Sequence, residues 1–331
     1  MRISHPKSSE HGAALLIVLL LVASLSAIAL TIVQTMNSAY QSALISSARN
    51  QILWFAIGAE DFAAAKLSTV SKLTEGKITR MTPGFDEPIE FALPDGSLKA
   101  RFTDGSNCFN LNALSQTSEQ ADKAGAINAA EFYQQLLSAL EFDTNKATEL
   151  VATLQDWIDS DTLPRPGGAE TSYYVSLEKP YASANTFLVS PGELRAIKGY
   201  TKEVYRRIRP YVCTHPDANI GPFNINTMRV AHAPLLFPVF SGEIPVSTLE
   251  TELSGLEGTV NDSVDDFFAL PTFAIIGKDN RKDEVLSVTT TYFRLTGEVV
   301  YLDAVTGYEA VFARDKAHNV ALVRRRLGVD E

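Results

Sequence analysis

No charged residue occurs between His11 and Ala48, and from Ala13 to Val33 the chain runs for 21 residues dominated by Leu, Ile, Val and Ala. A helix rises about 1.5 Å per residue, so this stretch spans roughly 30 Å, the thickness of a bilayer core. No other segment qualifies. Two readings compete. A cleaved secretory signal would end near Ser26-Ala27, but such signals carry an apolar run of only about 7–15 residues. The helical pattern also continues past the apolar run: Val33, Met36, Tyr40, Leu44, Ala48, Ile52, Phe55, Ala59, Phe62 and Ala65 recur at steps of three and four. The spacing predicts one rod from about Ala13 to Val70, on the order of 85 Å long, and a cut at Ala27 would remove its hydrophobic half. The leader Met1 to Gly12 carries Arg2, Lys7 and Glu10, which biases the start only slightly toward the cytoplasmic side.

The rest of the 331 residues is long enough for about two domains. With 29 basic against 39 acidic residues the net charge is −10, which argues against nucleic acid as a partner, because that affinity rests on clustered Lys and Arg. After the rod, Gly96 to Thr103 reads as a strand ending at Asp104-Gly105. Helices are predicted over Ala124–Glu141, Lys146–Trp157 and Thr201–Ile208, and Ser190-Pro191-Gly192-Glu193 reads as a capped helix start. Further helical pieces are expected over Thr227–Phe240, Val246–Leu256 and Val260–Leu270. Strands are predicted over Thr272–Ile276, Glu284–Leu295, Glu298–Asp303, Glu309–Arg314 and Val320–Leu327. The expected fold class is therefore α+β, a long N-terminal helix and an antiparallel sheet with an inserted all-α domain. Cys108 and Cys213 stand at the two ends of that helical block. A bridge would close a loop of about 105 residues, and two buried free thiols are the alternative.

The most specific segment is Leu154-Gln-Asp-Trp-Ile-Asp-Ser-Asp-Thr-Leu-Pro-Arg-Pro-Gly-Gly-Ala-Glu170, followed by Tyr173-Tyr174. Asp156 and Asp159 share one face of a helix end, Asp161 follows, and Pro164, Pro166, Gly167 and Gly168 bend the chain so that Glu170 returns. Carboxylates gathered at a helix C-terminus repel one another and oppose the helix dipole. A hard cation would relieve this, and oxygen ligands on a flexible loop suit calcium better than zinc. A solvated acidic turn is the other reading. The paired motifs Phe109-Asn-Leu-Asn112 and Phe223-Asn-Ile-Asn-Thr227 bracket the helical block, and their Asn side chains are expected to shape local turns. Asp262, Asp265 and Asp266 read as a helix start.

A short leader ending in Gly, an immediate apolar run and an amphipathic continuation resemble type IV pilins and type II secretion pseudopilins. The run Asp156-Trp-Ile-Asp-x-Asp with Gly-Ala-Glu and Tyr-Tyr, both Phe-Asn-x-Asn motifs, Tyr181-Ala-Ser-Ala-Asn185 with Ser190 and Glu193-Leu-Arg195, and Trp54, Ala56, Gly58, Ala59 and Glu60 resemble the pseudopilin K family over nearly the whole chain. The resemblance implies cleavage by prepilin peptidase between Gly12 and Ala13 and methylation of the new amine. Most such subunits carry Glu at the fifth mature position; here it is Ile17, a substitution that within the family marks the K subunit. It further implies calcium on Asp159, Asp161 and Glu170, with Asp156 a further candidate. The partners implied are pseudopilins I and J and the remaining pseudopilus subunits, with Ile17, Val33, Met36, Tyr40 and Leu44 packing against neighbouring rods. The location implied is a single pass through the inner membrane, body in the periplasm. The domains expected are residues 1–12 as leader, 13–33 as membrane helix, 34–104 as helix continuation and first strands, 105–215 as the inserted α-domain and 216–331 as the remainder of the pilin-like domain. The role implied is a non-catalytic subunit capping the pseudopilus tip and supporting export of folded proteins.

The five histidines are scattered, and neither a nucleophile elbow nor a phosphate loop nor a dinucleotide fingerprint is present. The rival expectation is an exported, membrane-anchored calcium-dependent hydrolase using Asp156 and Asp159 as acid and base.

Overall fold

The computed structural model describes residues 11–116, 127–302 and 304–328. Helix α1 (His11–Leu73) is unbroken over 63 residues, roughly 95 Å at about 1.5 Å per residue. From Ala14 to Ser47 it is exposed on every side. Beyond that, Ala48, Ile52, Ala56, Glu60, Ala63, Leu67 and Ser71 form a buried face at steps of four and three. The expected face drifts off this one. Phe62 and Ala65 are exposed, because small alanines let the sheet approach the helix axis closely while the large ring lies at the edge of the contact.

The sheet has five strands in the order β1-β2-β7-β8-β9, each pair antiparallel. They are β1 (Pro88–Leu93), β2 (Gly96–Asp104), β7 (Tyr292–Tyr301), β8 (Ala304–Arg314) and β9 (Val320–Leu327). Alternation along the strands turns Leu98, Ala100, Phe102, Phe293, Leu295, Ala310 and Phe312 toward α1, where they form one core with it. The expected turn between Leu295 and Glu298 is absent, and β7 runs through Gly297. A Cβ there would lie 1.9 Å from the Lys99 carbonyl oxygen, so glycine marks close approach of β2 and not a turn.

Between β2 and β7 the sheet admits residues 105–291. The insert includes β3 (Phe109–Asn110), α2 (Ala129–Ala139), α3 (Thr144–Ile158), α4 (Lys202–Ile208), β4 (Val212–Cys213), β5 (Phe223–Asn224), α5 (Val246–Gly255) and β6 (Leu286–Ser287). Buried side chains from Phe109 to Leu286 form a single cluster, so packing shows no break at the expected 215/216 division. Helix α2 starts at Ala129 behind Asn128, whose side chain accepts from Ala130 and Glu131 N–H. Residues 124–126 of the expected helix lie outside the described residues. Val230–Phe240 is three short pieces, with Pro234 and Pro238 each opening a new one, and only Val264–Phe268 of the piece expected over Val260–Leu270 is helical. The expected strand over Thr272–Ile276 is instead a helical turn, Pro271–Ala274. Proline opens the turn and Phe273 is fully buried in the insert's core, and that burial outweighs the β-propensity of Thr272 and Ile276.

The two Phe-Asn-x-Asn motifs do more than shape turns. Each contributes a two-residue parallel bridge, Phe109-Asn110 to Val212-Cys213 and Phe223-Asn224 to Leu286-Ser287. Asn110 Oδ1 accepts from Asn112 N–H and Asn224 Oδ1 from Asn226 N–H, while their amide groups donate to distant carbonyls, Asn110 to Asp217 and Asn219, Asn224 to Ile78. Cys108 and Cys213 form a disulfide with Cα atoms 5.7 Å apart at the first of these bridges.

Candidate metal centre

Helix α3 is amphipathic, opens on Asp143 as its N-cap and buries its last turn completely up to Ile158. Asp156, in that turn, is fully buried. Asp159 caps the helix end in extended conformation, so the chain leaves the helix there and Asp161 enters an exposed loop. Gly167 has φ +81°, a conformation that disfavours any side chain. A Cβ on Gly168 would fall 1.9 Å from Asp156 Oδ2. The two glycines therefore let the loop fold flat over the buried carboxylate and return Glu170 to it.

The expected residues divide into two groups. Arg165 donates through Nη1 to both Asp156 (2.8 Å to Oδ1) and Asp159 Oδ2, and its backbone N–H also donates to Asp156. Asp156 is thus committed to the loop. Asp159, Asp161 and Glu170 form the second group, each offering an oxygen within 4.8 Å of the others. Asp159 Oδ1 and Glu170 Oε1 are buried and accept no hydrogen bond. The other Glu170 oxygen accepts from Thr171 N–H at 3.2 Å and from Ser183 Oγ. Burial raises the carboxyls of Asp159 and Glu170 above their ordinary values; Arg165 opposes this at Asp159, and the neighbouring carboxylates reinforce it at both. Two orphaned buried oxygens, an all-oxygen donor set and this mutual repulsion fit a hard cation.

Asn185 was not among the expected ligands. It has φ +47°, its N–H donates to the Trp157 carbonyl at 2.9 Å, and its side-chain amide donates to the Asp161 carbonyl. Its Oδ1 is buried without a donor. The signal for it was its place in a motif beside the acidic loop, but only the fold brings it to the end of α3.

Elsewhere, Gly12 and Ala13 fall in the first turn of α1, and residues 1–10 lie outside the described residues. Ile17, Val33, Met36, Tyr40 and Leu44 are all exposed. Glu60 is the charged residue that the rod buries: Arg325 of β9 donates to it through Nε and Nη2, and the Tyr308 hydroxyl donates to the same carboxylate. Among the described residues, α1 is the one helix long and apolar enough to cross a membrane.

Residues 107–217 match the family model described as type II secretion system (T2SS), protein K. The chain is 33% identical to type II secretion system protein K of Pectobacterium carotovorum subsp. carotovorum, over 73% of this chain and 74% of that one. It is 31% identical to the protein K of Klebsiella pneumoniae over 79% and 80% of the two chains. The chain belongs to the type II secretion system protein K family. It is also 30% identical to a putative protein K of Escherichia coli strain K12, covering 97% of this chain and 98% of the relative. Its fold matches a chain in the crystal structure of the GspK-GspI-GspJ complex of enterotoxigenic Escherichia coli with a TM-score of 0.72 and 26% identity, covering 85% of this chain and 97% of that chain. A family member with this rod and sheet is a pseudopilin, and the pilin-like fold expected from the sequence is the one observed.

Proposed function

We propose that this protein caps the tip of the type II secretion pseudopilus, assembling with the minor pseudopilins I and J to support export of folded proteins, and that it catalyses no reaction. The observation that carries this reading is the first half of α1. Ala14–Ser47 is uncharged and exposed on every side, so its apolar side chains need lipid or other rods to cover them. The likeness to a chain crystallised in a GspK-GspI-GspJ complex supports the choice of partners. In this reading prepilin peptidase cuts between Gly12 and Ala13, the rod waits in the inner membrane with the body in the periplasm, and it then moves into the filament. A rod with Ile17 in place of a carboxylate lacks the group that would pair with a neighbour's amine, which suits the terminal position. The large insert between β2 and β7 supplies the bulk that would block further addition. Calcium on Asp159, Asp161 and Glu170 would hold the loop after α3 in place.

The hydrolase reading asks Asp156 and Asp159 to exchange protons with a substrate. Both are engaged by Arg165, and Asp156 is sealed beneath Gly168.

Mass spectrometry of the mature protein tests the proposal. The expected N-terminus is methylated Ala13; a start near Ile28 would sink the filament role, because it removes the membrane half of the rod.

A further inference from the structure

The face of the sheet turned away from α1 is unlike its apolar counterpart. Strand alternation puts Arg101, Arg294 and Arg324 on it, and the insert sets Arg209 and Arg229 against it. The acidic groups in this layer are already committed. Glu309 pairs with Arg324 at 3.0 Å and Arg209 at 3.7 Å. Asp86 pairs with Arg101 at 3.6 Å and with Arg229. The Asp104 carboxylate accepts from Ser106 N–H, Thr227, Thr290 and Asn224.

Arg294 is left over. Its guanidinium makes no hydrogen bond or ion pair among the described residues, and its Nε is buried without an acceptor. The residue as a whole is half-buried, but a buried N–H that meets no acceptor carries an uncompensated desolvation cost. It borders a cavity of about 370 Å³ that Arg80, Arg101, Arg229 and His232 also line, with Asp86 and Asp104 as the acidic members of the wall. Counting Glu257 against Arg80, which it pairs at 3.2 Å, still leaves an excess of positive charge. His232 adds a neutral donor: its Nδ1 accepts from Arg229 N–H at 3.0 Å, which leaves the ring proton on Nε2. This occurs in a chain whose net charge is −10, so the basic lining is a local construction.

We propose that this cavity between sheet and insert is a binding site for a small oxyanion, with Arg294 as its principal ligand and Arg229, Arg101 and the His232 ring around it. The planar guanidinium fork matches a carboxylate or a tetrahedral oxyanion and discriminates against chloride. The volume exceeds that of one inorganic oxyanion and admits a dicarboxylate. Bound there, the anion would join β2 and β7 to the insert and give the orphaned Arg294 Nε an acceptor in the layer that fixes the two bodies to each other.

Calorimetric titration of the full chain in a nonionic detergent, with sulfate and separately with succinate against chloride at matched ionic strength, tests the site. The expected result is one-to-one binding of at least one of the two, weakened at least tenfold in Arg294→Gln. Sulfate alone binding assigns the site to tetrahedral oxyanions, and succinate alone assigns it to carboxylates. Binding of neither, or equal binding by Arg294→Gln and the unmodified protein, overturns the proposal. Should Arg294→Gln fail to fold, Arg294→Lys keeps the charge and loses the fork; an unchanged affinity in that variant likewise overturns it.

Discussion

Glu60 shows how one residue can fasten two elements. It is a carboxylate on the alanine-rich buried face of the helix, 3% exposed, and it survives there because Arg325 and the Tyr308 hydroxyl both donate to it. Removing one partner of such a group leaves the other charge buried and unsatisfied. Glu60→Ala is expected to lower stability by on the order of 3 kcal/mol, read as a shift in the urea midpoint. Arg325→Ala should cost a comparable amount, and the double variant distinctly less than the sum of the two. Strict additivity would show that the contact contributes nothing to holding the rod on the sheet. The sequence offered Glu60 only as part of a motif; its partner lies 265 positions away, beyond any local pattern.

At the scale of elements, the acidic loop behaves as the C-terminal extension of α3. The helix ends where its carboxylates collect, and the loop is held by Arg165 on one side, while Asp159, Asp161 and Glu170 are drawn together on the other. If calcium occupies this second group, it stabilises the fold by mass action, about 2.7 kcal/mol at a hundredfold excess over Kd. Asp159→Ala and Glu170→Ala should then lower the melting temperature relative to the unmodified protein when calcium is present, and the difference should vanish in a chelator. A melting temperature of the unmodified protein that ignores calcium would remove the metal from the account. The helix and the carboxylate spacing could be read from the sequence, as could the return of Glu170, since prolines and glycines announce a bend. That Asp156 would be taken up by Arg165 and the loop backbone could not be read, because it depends on which side of the loop faces the core.

The whole molecule is two apolar cores joined through a polar, arginine-rich layer, with one disulfide inside the insert. The Cys108–Cys213 bridge closes a loop with a sequence separation of 105, for which loop-closure entropy suggests about 4–5 kcal/mol. Reduction, or Cys108→Ala with Cys213→Ala, should lower the denaturant midpoint accordingly, the effect falling on the insert; equal midpoints before and after reduction would show that packing and the paired Asn motifs alone hold the two bridged segments together. The bridge lies beside the first Asn motif, where Asn110 accepts from His215 N–H at 2.9 Å and Asn112 donates to the His215 carbonyl. Burial, with Arg294 and Arg324 nearby, pushes the His215 imidazole down to about 3, so this junction is built around a neutral ring.

The sequence by itself determined the rod, the β-meander at the C-terminus, the capped helices and the bend that returns Glu170 toward the acidic end of α3, because each follows from local periodicity, capping chemistry or turn residues. Tertiary structure decided the rest. It chose alanines over Phe62 for the rod's buried face, put a helical turn at Pro271–Ala274 where a strand was expected, drove β7 through Gly297, carried one core past residue 215, and left the Arg294 Nε without an acceptor at the seam. Each of these depends on what another part of the chain, often a hundred or more residues away, brings to the same place, and no single stretch of sequence records that distance.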